Sequence, residues 1–155
     1  MKQKAYFTEG TLAAWRKAGA KLGWLGINEE LKMEFAEQPE RLKNAVPAFE
    51  YTGDVREVTH GQAAPGIPFG LNIKNKMVRN VKLPDLARLT DLQSLGLNST
   101  LMAYEGMKDL APLINLQSLD LSYNRLEDAG PKVYVPVTDQ QGLKDLAPLT
   151  NLKSL

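Results

Sequence analysis

Cysteine is absent from the 155 residues, which excludes a disulfide framework, a thiolate nucleophile and cysteine-based metal sites. Only one histidine is present. Any Ser-His-Asp arrangement has to be built on His60, whose setting, Val58-Thr-His60-Gly61, lacks the glycines of a nucleophile elbow; it reads as a solvated loop side chain. Neither sign of charge is in excess, with 19 basic against 18 acidic residues and no block of either, so a nucleic-acid groove or an anionic membrane surface is not expected. No apolar run reaches the roughly 18 residues a transmembrane helix needs. The start, Met1 to Gly10, is charged but has no apolar stretch of the signal-peptide kind. The expectation is a soluble cytoplasmic chain that forms one continuous domain.

Chemistry is equally sparse. The zinc-protease pair on a helix, the calcium-loop spacing and the phosphate-binding glycine loop are all missing. Glu29 and Glu30 are neighbours in a loop after Asn28 and read as solvated charge, not as an acid/base pair. The aspartates Asp85, Asp109 and Asp145 stand at helix starts, where a carboxylate favours exposed amides. No catalytic constellation, metal site or cofactor site emerges, and the expectation is a protein that is not an enzyme.

What the chain does contain is repetition. The string Asp-Leu-Ala-x-Leu occurs at Asp85–Leu89, Asp109–Leu113 and Asp145–Leu149, each running into a leucine pair, Leu92/Leu95, Leu116/Leu119 and Leu152/Leu155. The first step is 24 residues and the second 36; removing the twelve residues 131–142 restores 24. A fixed period in the twenties predicts a solenoid in which each unit is one turn of a coil. Within each unit, Leu71-Asn72-Ile73, Leu95-Gly96-Leu97 and Leu119-Asp120-Leu121 alternate as short strands with the leucines inward. Stacked in phase at about 4.8 Å per turn, they predict a parallel sheet. Positions 83, 107 and 143, then Leu86, Leu110 and Leu146, then Leu89, Leu113 and Leu149, give a short α or 3-10 segment on the outer wall, limited by Pro112 and Pro148. An amphipathic helical bundle is excluded, because the phase resets every repeat around an alternation that a helix cannot bury on one face.

The full pattern stands once, as Leu116-Gln-Ser-Leu119-Asp-Leu121-Ser-Tyr-Asn124-Arg-Leu126. With its flanking Asp-Ala-Gly and Leu-Ala-Pro-Leu-x-Asn-Leu, the segment 68–155 resembles the bacterial leucine-rich repeat family. The resemblance implies an α/β horseshoe segment, right-handed, with a parallel sheet on its concave face, about 3.5 units of 24 residues and a twelve-residue insertion at 131–142. It also implies that Asn124 bonds backbone groups of neighbouring coils, a role that Thr100 fills in part and Lys76 does not. Such repeats are mostly protein-interaction modules.

Residues 1–67 have a different texture and are expected to cap the array as an α+β segment, since a solenoid end exposes apolar edge. Thr11 is placed as the cap of a helix with Leu12, Trp15, Ala18 and Leu22 at helical spacing, ended by Gly19 and Gly23. Leu31–Phe35 and Ala48–Tyr51 alternate as strands. Gly61 to Pro68 is a loop. Trp15, Trp24 and Phe35 are assigned to plugging the end of the core. The same aromatic and glycine segments also resemble, more loosely, the leader segments of some bacterial leucine-rich-repeat proteins.

The functional expectation is a scaffold for a protein partner, bound on the concave face or the insertion. Stacking sets Gly70, Asn72, Lys74 and Asn75 beside Ser94, Gly96, Asn98 and Ser99, then Ser118, Asp120, Ser122 and Tyr123. The candidate contacts are Asn72, Lys74, Ser94, Asn98, Ser118, Asp120 and Ser122, with Tyr123 and Arg125 as anchors. Tyr134 joins them from the insertion, where Val133, Val135 and Val137 alternate. The alternative is a self-assembling structural unit, or a fragment of a longer repeat protein, pairing through the open edge that Leu155 leaves, with a homodimer as one outcome.

Overall fold

The computed structural model describes residues 6–53, 64–74, 86–100, 104–124 and 145–153. Within them one helix, α1 (Glu9–Lys17), precedes six strands, β1 (Lys21–Ile27), β2 (Met33–Ala36), β3 (Lys43–Tyr51), β4 (Phe69–Ile73), β5 (Leu92–Gly96) and β6 (Ser118–Asp120). The class is α/β. All six strands form one sheet in the order β2-β1-β3-β4-β5-β6.

The parallel sheet expected from the repeats is in fact mixed. Strands β3 to β6 run parallel, but β1 is antiparallel to both β2 and β3. The N-terminal third is therefore not a separate plug set on the end of the sheet. It supplies half of the strands, and β3 joins the antiparallel half to the parallel half.

Helix α1 begins one turn earlier than expected. Thr8 is the cap, its Oγ1 accepting from Thr11 N at 3.1 Å. Leu12 and Trp15, one turn apart, face inward and are fully buried. The helix ends before Gly19, which sits at φ 89°, a conformation glycine adopts without a Cβ penalty. Gly19 N donates to Arg16 O at 2.9 Å and Ala20 N to Trp15 O at 3.0 Å, so the last turn's carbonyls are satisfied. Leu22 consequently belongs to a strand and not to this helix.

The main core lies on one face of the sheet. Trp15 stacks on Phe49 with ring centroids 4.4 Å apart and planes 7° from parallel, while Phe7 and Phe69 close around the same ring. Beyond them come Leu71, Leu95 and Leu119 from β4 to β6, backed by Leu86, Leu110 and Leu146 from the outer wall. The plug is therefore Trp15 with three phenylalanines. Trp24 and Phe35 are only half-buried; Trp24 meets the edge of Tyr6 at 5.4 Å instead.

The segments that precede β5, β6 and Lys153 repeat their backbone bonding. Leu89, Leu113 and Leu149 each donate to the carbonyl three residues back at 2.9 Å. Leu92, Leu116 and Leu152 do the same at 2.9, 2.9 and 3.2 Å. Asn115 Nδ2 reaches back to Thr90 O and Asn151 Nδ2 to Ile114 O, both at 2.8 Å. The bonds at Leu149 and Leu152 thus repeat those at Leu113 and Leu116. The wall itself is 3-10 at Leu86–Arg88 and Tyr104–Leu110.

Candidate functional site

The strand register lays out the face opposite the core in two rows. Gly23, Ala48, Gly70, Ser94 and Ser118 form one, and Lys21, Glu50, Asn72, Gly96 and Asp120 the other. The offsets expected from the 24-residue step hold for Gly70–Ser94–Ser118 and Asn72–Gly96–Asp120.

This face is not a flat open surface, because the sheet curls over it. Small residues allow the curl. A Cβ on Gly70 of β4 would stand 2.9 Å from Leu25 Cβ of β1, and one on Gly96 of β5 would stand 3.5 Å from Met33 Sδ of β2. Strands at the far side of the sheet order therefore reach across it, as in half of a barrel. Phe35 fills the space above Gly23, and Leu25 and Ala48 are fully buried there. Burying a leucine side chain contributes about 1.5–3 kcal/mol, so the β1–β2 hairpin is held down by more than its ladder.

Two expected contact residues are corrected by this cover. Asn72 is 8 % and Ser94 4 % exposed, so neither is available to a partner. Asn72 Nδ2 instead donates to Glu50 Oε2 at 2.9 Å. Lys74 is exposed, but its Nζ is 2.9 Å from the same Glu50 oxygen. The trio is a capped internal charge, and its role is to satisfy a buried carboxylate.

The open part of the face lies toward β6. Ser122 and Tyr123 are exposed, and Asn98, Ser118 and Asp120 are half-buried. Asp120 Oδ1 accepts from Ser122 N at 2.9 Å and Ser122 Oγ at 2.6 Å, while Asn98 Nδ2 donates to Ser122 Oγ. These bonds fix the turn after β6. Tyr123 sits in it at φ 55°, and Ser99 holds the equivalent place in the preceding coil at φ 56°. A left-handed conformation costs a non-glycine residue about 1–2 kcal/mol. The tyrosine ring, 82 % exposed, does nothing for the core that would offset it.

The opposite rim is the turn between β1 and β2. Asn28 Oδ1 accepts from Glu30 N and Lys32 N, both at 3.0 Å, and its Nδ2 donates to Glu34 Oε2 at 2.8 Å. These bonds hold Leu31 at φ 62° with its side chain 77 % exposed. Beside it, Lys32 Nζ is 2.7 Å from Glu30 Oε2. That hydrogen bond and charge hold Glu30 below the usual carboxylate range. They also raise Lys32 above the ordinary lysine value, with a smaller upward contribution from Tyr123.

Comparison with protein-family models, with curated proteins and with solved structures finds no match. Among the described residues no three potential metal-ligating side chains converge, and no helix is long and apolar enough to cross a membrane. The other candidates, Arg125, Tyr134 and the insertion 131–142, lie outside the described residues, as do His60, Lys76, Asn75 and Leu155. At the β6 edge Lys153 N donates to Gln117 O at 2.8 Å, as Gln117 N does to Gln93 O, so that rung is already taken.

The residues that sequence reasoning missed are Glu50, Leu31, Lys32 and Met33. A carboxylate inside the apolar stretch Ala48–Tyr51 was the available signal for Glu50. The reach of Met33 had none, since it depends on the curvature of the whole sheet.

Proposed function

We propose that the chain is a repeat module of the leucine-rich type that holds a protein partner on the open, β6-side part of its concave face. The repeated outer-wall bonds, the in-register rows and the asparagine contacts support the repeat reading. Asn124 Nδ2 donates to Leu97 O at 2.6 Å and Leu121 O at 2.9 Å. Thr100 Oγ1 bonds Leu97 O at 2.8 Å and Asn124 Oδ1 at 3.1 Å. These bonds support the reading of an asparagine ladder of the kind the repeat resemblance implies.

The observation that carries the functional reading is Tyr123: a large, almost fully exposed ring fixed on left-handed backbone by the bonds of its neighbours. Such strain persists only where surrounding structure imposes it, and it gathers at functional positions. Tyrosine is also a common interface anchor. Among the described residues no metal-ligating cluster converges, and an exposed, fixed tyrosine favours the binding reading.

The test is affinity capture with the full chain beside Tyr123→Ser and Asp120→Asn variants of matched thermal stability. Proteins retained by the unaltered chain and lost with both variants support the reading. Retention that is identical for all three removes the concave face.

A further inference from the structure

Each of the two turns that border the mouth of the curl carries one exposed apolar side chain, and the Asp120 carboxylate stands on the β6 side. Leu31 and Tyr123 are two of the four large hydrophobic residues identified as exposed, at 77 % and 82 %. Each is pinned by polar side chains at its foot, Asn28 for Leu31 and Asp120 with Ser122 for Tyr123. They come from opposite sides of the sheet order, and Met33 Sδ, 3.5 Å from where a Cβ on Gly96 would stand, brings the β2 side over the strand that pairs with Asp120. Rigid, exposed apolar groups lose little entropy on contact, which is what a preorganised binding surface requires.

Lys32 and Lys74 each have a carboxylate partner, Glu30 and Glu50, while Glu29, Glu34 and Asp120 form no ion pair among the described residues. The Oδ1 of Asp120 is held by Ser122, and its Oδ2 carries no bond. The carboxylate is thus oriented by its own turn, with one oxygen left over beside an exposed aromatic ring. A planar guanidinium suits that pair, since it donates to a carboxylate and also stacks on an aromatic face. A lysine ammonium would serve the carboxylate but is more strongly hydrated and has no plane to stack.

Building on the protein-binding reading above, we infer that the mouth takes an arginine-bearing segment of the partner protein. Its guanidinium pairs with Asp120 and lies on the Tyr123 ring, and an adjacent apolar side chain of the segment rests against Leu31.

A phage-displayed library of random heptapeptides panned on the full chain tests this. Arginine next to an apolar residue should be enriched among the binders. Replacing that arginine by citrulline, which keeps the shape and removes the charge, should weaken binding about tenfold or more, the scale of one charge-assisted contact. Asp120→Asn, which keeps Oδ1 for Ser122, should have a similar effect at unchanged melting temperature. Leu31→Ser should weaken every binder.

Binders that need Tyr123 but lack arginine, or that ignore Asp120→Asn, overturn this inference and leave the concave-face reading standing. Binders indifferent to Leu31, Asp120 and Tyr123 overturn both. A library that yields no saturable binder also overturns the inference.

Discussion

Asn72 and Lys74 share one acceptor: Glu50 Oε2 takes the Asn72 amide and the Lys74 ammonium, each at 2.9 Å. The glutamate is 8 % exposed, so both donors serve a carboxylate drawn out of water by the curl of the sheet. The two donors differ in surroundings, and their removal should differ in cost. Lys74 is more than half exposed, and Lys74→Met should cost about 1 kcal/mol, the upper end for a solvent-screened pair. Glu50→Ala strands the buried amide of Asn72 and should cost about 2 kcal/mol. Because the groups share one oxygen, the double variant should be little worse than Glu50→Ala alone. Urea unfolding of the three variants reads this directly.

The ladder between coils gives a second contrast. Asn124→Ala removes the amide from two carbonyls, Leu97 O and Leu121 O, and should cost about 2 kcal/mol. Thr100 is fully buried, yet Thr100→Val leaves Leu97 O still bonded by Asn124 and keeps the shape, so about 1 kcal/mol is expected. Equal losses in thermal or urea melts would mean that Asn124 is not the principal tie between these coils.

Much of this was legible in advance. The leucine phase placed Leu71, Leu95 and Leu119 on one face and Ser94, Ser118 and Asp120 on the other, because a strand's side chains alternate whatever the sheet's curvature. Thr100 stood in for asparagine as its hydroxyl allows. The strand Leu-Gly-Trp-Leu-Gly-Ile of β1 was hidden because it is covered on both faces, which erases alternation, and its Leu22 falls in phase with Leu12, Trp15 and Ala18 of the preceding helix. The cover over Asn72 and Ser94 was hidden for a different reason. It depends on side chains of β1 and β2 reaching strands with which they do not pair, and no local pattern encodes that.

Gly96 tests how closely this face is packed. A Cβ there would collide with Asn72 Oδ1 of β4 and come into ordinary contact with Met33 Sδ of β2. Gly96→Ala should destabilise the chain by about 1–3 kcal/mol, the usual cost of overpacking. The loss should shrink when Asn72→Ala is already present, since the nearer obstacle is gone. A Gly96→Ala melt unchanged from the unaltered chain would mean that the Asn72 amide is not packed against Gly96.

At the turns, stability and binding should part company. Tyr123→Gly relieves left-handed backbone worth about 1–2 kcal/mol against a glycine entropy cost of about 0.5–1 kcal/mol, so the variant should melt slightly higher while capturing less partner. Ser99→Gly makes the same backbone change without removing the Tyr123 ring. It should gain similar stability and leave capture untouched. Differential scanning calorimetry paired with the capture assay separates the two effects.

The reach of Met33 over Gly96 also sets an order in time. Strands β3 to β6 pair with partners one repeat away in the chain, contacts that close short loops. The Met33–Gly96 contact joins segments remote in sequence and needs the whole curved sheet in place before it forms, so its entropy of closure is met last. Removing it by Met33→Ala should therefore speed unfolding and leave the folding rate nearly unchanged. On this order Asn72, Ser94 and the Glu50 carboxylate are expected to lose their water last, when the hairpin settles over the assembled sheet.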